Sequence, residues 1–143
     1  MAEDIQEKVQ KKLRDGWIKS WMMIEAMAVN AETVNNALKK HVEAMEKEDK
    51  FFIAKKDFKE TKETESPFAD VKKAHSGVVE LEVLTETFDK LFYMVINYGP
   101  SAVEILEPEK ITLDMGELQG VLNSMADIIH RFAARMGGMT VNT

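Results

Sequence analysis

"WIKSWMMIEAMAV", residues 17–29, decides how the rest of the chain is put together. Methionine, alanine and glutamate are good helix formers, so its composition permits a helix. Its spacing permits a strand. Ile18, Met22, Ile24, Ala26 and Ala28 fall on one period-two face, interrupted only by Ser20. Residue content alone allows either. We read a strand, because a strand here turns the first half of the chain into a copy of the second.

Working outward, Asn30 is suited to cap a helix. Val34, Ala37, Leu38, His41 and Met45 then recur at three-and-four spacing, with Lys39, Lys40, Glu43, Glu46 and Lys47 off the stripe. "FFIAKKDF", residues 51–58, has the aromatic and branched content of a strand. Residues 59–76 are polar and turn-rich and read as a long loop, with Phe68 and Val71 available to pin it down. "GVVELEVL", residues 77–84, sets Val79, Leu81 and Val83 on one face and Glu80 and Glu82 on the other. A helix from Thr87 carries Phe88, Leu91, Phe92 and Val95. Gly99 suits the left-handed stop of that helix, and Pro100 forbids its continuation. "SAVEILEP" is a further strand, with Val103 and Ile105 opposite Glu104, closed by Pro108.

Two strand–helix–strand units side by side give an α+β fold, the ferredoxin-like β-α-β-β-α-β arrangement with a four-stranded antiparallel sheet over residues 17–107. Two helices flank it. Residues 1–16 carry a narrow stripe of Ile5, Val9 and Leu13. Residues 114–136 open on Asp114 and Glu117, a capping-box arrangement. They carry Leu118, Val121, Leu122, Met125, Ile128, Ile129 and Phe132, and end at Gly137 and Gly138. At 143 residues the chain suits one domain, 1–143. The open sheet face should include Val78, Leu84, Ala102 and Leu106. The C-terminal helix should cover that face or dock on another subunit, since its stripe needs shelter.

"LFYMVINYGPSAVEILEPEKI", residues 91–111, resembles the C-terminal extension of WYL-domain regulators, a ferredoxin-like module. "AETVNNALKKHVEAM", "VELEV" and "PSAVEILEP" together resemble uncharacterised small archaeal proteins of ferredoxin-like or ACT-like build, over residues 20–132. The archaeal resemblance implies a fold and carries no activity with it.

The chemistry legible in the residues is sparse. Net charge is −6, the wrong sign for a protein that neutralises phosphates, so nucleic acid is a disfavoured partner. Cysteine is lacking, which removes disulfides and thiol catalysis and agrees with a cytoplasmic location. No apolar run is long enough for a membrane span, and the charged N-terminus does not read as a secretory signal. Phosphate-loop and nucleophile-elbow patterns are missing. Asp127 and His130 stand at i,i+3 but have no third ligand nearby. Glu80, Glu82 and Glu104 could gather on the second sheet face, where a solvated strand surface is the simpler reading. His41 reads as a satisfied histidine at the core edge.

These observations lead to the expectation of a non-enzymatic interaction or regulatory module that self-associates, without catalytic, cofactor or metal residues. Its interaction candidates are Trp17, Trp21, Val78, Leu84, Leu106, Leu118 and Met125. A homo-oligomer or a protein partner is expected. The alternative is an ACT-like sensor holding a small-molecule ligand at a subunit interface, through loop 29–33 or 97–101. A further alternative, an RNA-binding subunit, rests on the aromatics of "KFFIAKKDF" with Lys50, Lys55 and Lys56, against the acidic total.

Overall fold

The computed structural model describes residues 2–67 and 72–137. Phe68, Val71 and Gly138 therefore lie outside the described residues. The elements are α1 (Ala2–Arg14), β1 (Ile18–Ala28), α2 (Ala31–Glu46), β2 (Phe51–Phe58), β3 (Lys62–Glu65), β4 (Lys73–Thr85), α3 (Phe88–Tyr98), β5 (Ala102–Glu107) and α4 (Met115–Arg135). The chain divides into two compact units, one running to Glu109 and one from Lys110. The first unit is α+β and the second is α4 with its leading segment.

The deciding stretch is a strand. β1 pairs with β4 over eleven residues, Ile18↔Thr85 to Ala28↔His75, and with β5 on its other side. Two flanking ladders satisfy its backbone, and alternate side chains enter the core. Context of that kind overrides helix propensity. The strand starts at Ile18, which leaves Trp17 in the turn before it.

The sheet runs β2-β4-β1-β5, every pair antiparallel. β1 and β2 flank β4 and so run parallel to each other, joined over it by α2. β4 and β5 likewise flank β1 and are joined by α3. The expected count of four strands is corrected to five, because β3 pairs with β4 from Lys62↔Ser76 to Glu65↔Lys73. The expected loop of residues 59–76 thus holds a hairpin arm. Its strand "KETE" has no apolar alternation to announce it, and backbone pairing along an extended β4 is what makes it a strand.

Directly opposed residues share a face. Met22, Ile24, Val79, Leu81, Val83 and Phe51 form one face, and Val34, Leu38, Val42 and Met45 of α2 with Leu91 and Met94 of α3 pack onto it. Each such side chain contributes about 1.5–3 kcal/mol by leaving water. α2 packs tightly over Gly77, where a Cβ would collide with Val34 Cγ1. Glycine lets the helix settle on the strand. Gly99 meets its expected role as a left-handed cap with φ 58°, its N–H donating to Val95 O at 2.9 Å. Ser20 and Thr85 are fully buried on the same face, and neither hydroxyl has a hydrogen-bond partner among the described residues.

Candidate interaction surfaces

The second sheet face is built from the alternate positions: Lys19, Trp21, Met23 and Glu25 of β1, Val78, Glu80, Glu82 and Leu84 of β4, Ala102 and Glu104 of β5, and Phe52 of β2. A bulge at Ala54 shifts the β2 register. It leaves Lys55 opposite Glu82 on this face and turns Lys56 to the other, where its Nζ meets Glu46 Oε1 at 3.0 Å.

α1 lies over one end of this face. Lys12 Nζ sits 3.9 Å above the Trp17 ring and 5.5 Å from that of Phe52, cation–π contacts that hold the helix down. Val9 is buried, and Leu84 beneath this end is fully buried. Leu84 is therefore corrected from an interaction candidate to a core residue. Between α1 and the sheet, Ile5, Gln6, Val9, Gln10, Lys19, Ala54, Lys55 and Glu82 line a shallow cleft of about 440 Å³.

Trp21 is not a free anchor. Its indole Nε1 donates to Glu80 Oε1 at 3.0 Å. Glu80 also meets Lys59 Nζ at 3.4 Å, Glu82 meets Lys19 Nζ at 3.5 Å, and Lys59 Nζ donates to Asp57 Oδ2 at 2.6 Å. Lys59 holds the Asp57 carboxyl below the usual carboxylate range, and Asp57, then Glu80, raise the Lys59 ammonium above its own. Glu104 faces Trp21 across the ladder, on the far side of β1 from Glu80 and Glu82. The three glutamates do not converge. Trp21, Lys55, Asp57, Glu80 and Glu82 enclose a space of only about 50 Å³, room for water and not for a metabolite. Among the described residues, no group of three or more His, Asp or Glu side chains could hold a metal ion. Asp127 pairs with Arg131 at 3.1 Å.

A second polar cluster had no sequence signal, since its bonded partners are 41 to 57 residues apart. Glu48, just past α2, accepts from Lys90 Nζ at 2.8 Å and from the Tyr98 hydroxyl at 2.6 Å. Lys90 also reaches Asp49 at 3.4 Å. His41 Nε2 lies 2.7 Å from Tyr98 O, with the rings edge-to-face at 5.4 Å, as a satisfied core-edge histidine should. Lys90, then the Tyr98 hydroxyl, hold the Glu48 carboxyl below its usual range against the cost of burial. Burial opposes the Lys90 charge, but Glu48 and Asp49 outweigh it and raise its pKa. Burial and the Glu48 carboxylate push Tyr98 up to about 12. Every member is a partner of another, so the cluster ties α2 to α3.

Two of the amides at the loops of the sensor reading are also occupied. Thr33 N donates to Asn30 Oδ1 at 2.8 Å, and Ser101 N donates to Met23 O at 2.8 Å. Within "FFIAKKDF", Phe51 is buried and Phe58 shares its face, so Phe52 alone reaches the second face.

Exposed apolar surface lies elsewhere. β5 is an edge strand, and Val103, Ile105 and Leu106 on it are exposed. Leu106 falls at a register shift in the β1 pairing, so its place on the second face is not fixed by the ladder. Val78 is half-buried there. In the unit from Lys110, the capping box read from the sequence is present: Asp114 Oδ1 accepts from Glu117 N at 2.8 Å, and Glu117 Oε1 from Asp114 N at 3.5 Å. Along α4, Leu118, Leu122, Met125, Ile129 and Phe132 are all exposed. No described helix is long and apolar enough to cross a membrane.

The molecule so defined is an α+β protein with tied-down polar groups and open apolar surfaces. The chain belongs to the MJ0538 family, a family named after an archaeal protein, whose model matches residues 19–143 and so begins just after the start of β1. No curated protein matches the chain.

Proposed function

We propose that this protein is a non-enzymatic interaction module that self-associates, built on a ferredoxin-like layer. The interleaved crossovers β1–α2–β2 and β4–α3–β5 support the layer. The hairpin arm of β3 is an addition to it.

One observation carries the function. Trp21, Glu80, Lys59 and Asp57 on the second sheet face, and Glu48, Lys90 and Tyr98 between α2 and α3, are spent on one another, while the large apolar side chains of β5 and α4 face solvent. Apolar surface left open in this way marks a contact site. A sensor of the ACT-like kind needs free backbone groups at the strand–helix junctions, and Asn30 and Met23 already engage two of them. An RNA platform needs neighbouring exposed aromatics on a basic surface, and the net charge is −6.

Size-exclusion chromatography with light scattering, over a wide concentration range, tests the proposal. The expected result is a mass above that of one chain. A monomer at every concentration removes self-association from the reading.

A further inference from the structure

We infer that α4 is a coiled-coil seam whose occupant is α4 of a second copy of this chain, running antiparallel. The inference rests on the reading of the protein as a self-associating module and names the surface that does it.

The spacing is the first argument. Met115, Leu118, Leu122, Met125, Ile129, Phe132 and Met136 follow one another at intervals of three and four without a break. This is the a/d pattern of a heptad, period 3.5, held from the first residue of the helix to its C-cap. Val121 and Ile128 flank the seam on one side and are half-buried, and Ala133 is buried, whereas the a/d positions themselves are exposed. Exposed a/d positions suit a neighbouring helix of the same kind.

Exposure is the second. All seven side chains are open within one chain, from 38% for Leu118 to 77% for Met115. Together they offer on the order of 800 Å² of apolar surface, what one partner contributes to a standard stable interface. Glu117, Asn123, Asp127 and Arg131 lie off the seam, with Asp127 and Arg131 paired at 3.1 Å. The other helices do not offer a match. α2 and α3 bury their stripes on the sheet, and Val9 of α1 is buried.

Charge sets the direction. The helix starts on Asp114 and Glu117 and ends with Arg135 in its last turn, Arg131 being paired with Asp127. Antiparallel pairing brings the acidic start of one copy to the basic end of the other and opposes the two helix dipoles. A register that fills the seam sets Leu122 against the partner's Phe132, and Met125 against the partner's Ile129.

The test uses the full chain. Light scattering should give a dimer for the wild type. The double variant Leu122→Glu/Ile129→Glu should weaken association by on the order of a hundredfold or more, because it places charge in the seam. Its far-UV circular dichroism should keep the sheet signal. Asn123→Glu, off the seam, should remain dimeric. Since the chain has no cysteine, Leu122→Cys and Phe132→Cys chains can be mixed and oxidised, and the mixed disulfide should dominate. A dimer indifferent to the double variant overturns the seam and leaves self-association standing. A monomeric wild type overturns both. Seam variants that lose stability without a change in mass show a stripe buried within its own chain and overturn the inference. Dominant self-linking of Leu122→Cys overturns the antiparallel direction.

Discussion

The Tyr98 hydroxyl, at the last turn of α3, donates to Glu48 Oε2 just past α2, at 2.6 Å. The bond makes stability depend on pH at both ends of the scale. Tyr98 rises from 10.0 to about 12 on folding, so the folded state keeps a proton that the unfolded chain gives up first. Stability is full below pH 10 and falls as pH rises toward 12. The raised Lys90 adds to the same alkaline decline. Glu48 is lowered, so its contribution is full above its unfolded value of 4.5 and is lost as pH falls through the folded one. Urea unfolding of Tyr98→Phe across pH 8–12 should show a shallower alkaline decline than the wild type. It should also show a loss of about 1 kcal/mol at pH 7. An unchanged profile would mean that the hydroxyl does not bond there.

Gly77→Ala should destabilise the protein by about 1–3 kcal/mol, because the new methyl meets the stiff Val34 side chain under α2. Combining it with Val34→Ala should restore part of the loss. Thermal unfolding of the single and double variants measures the coupling, and simple additivity would place the clash elsewhere.

Thr85→Val should raise the melting temperature. The Thr85 hydroxyl is fully buried without a partner among the described residues, and the swap replaces it with a methyl of nearly the same shape. A gain of about 1 kcal/mol is expected from removing an unsatisfied polar group. Calorimetry of the variant decides, and a loss of stability would show that the hydroxyl is bonded in solution.

Ile105→Lys on the β5 edge should change stability by no more than about 0.5 kcal/mol, since the side chain is half exposed. It should slow aggregation on heating, because a charged edge resists pairing with strands of other chains. Its oligomeric mass should match that of the wild type. A monomeric variant would move the self-association surface from α4 to β5.

Much of the first unit is legible in local pattern. Val79, Leu81 and Val83 alternating with Glu80 and Glu82 describe a half-buried strand, and the Gly99-Pro100 stop needs only backbone sterics. The α2 stripe and its cap Asn30, and in the second unit the cap Asp114, are short-range features that a sequence carries intact. β3 was hidden because a strand with two polar faces has no period to read. Leu84 was misplaced because its burial depends on α1 crossing the second face, a contact between residues about seventy positions apart.

The sequence by itself determined the alternation of residues 77–84, the caps at Asn30, Gly99 and Asp114, and the heptad spacing along α4, because neighbours a few residues apart settle those. Only the tertiary structure decided that residues 18–28 are a strand, which carboxylate meets which cation, and that Trp21 is held by Glu80. Those outcomes depend on which backbone edges and side chains remain unpaired once the chain has closed on itself, and no local window of residues contains that information.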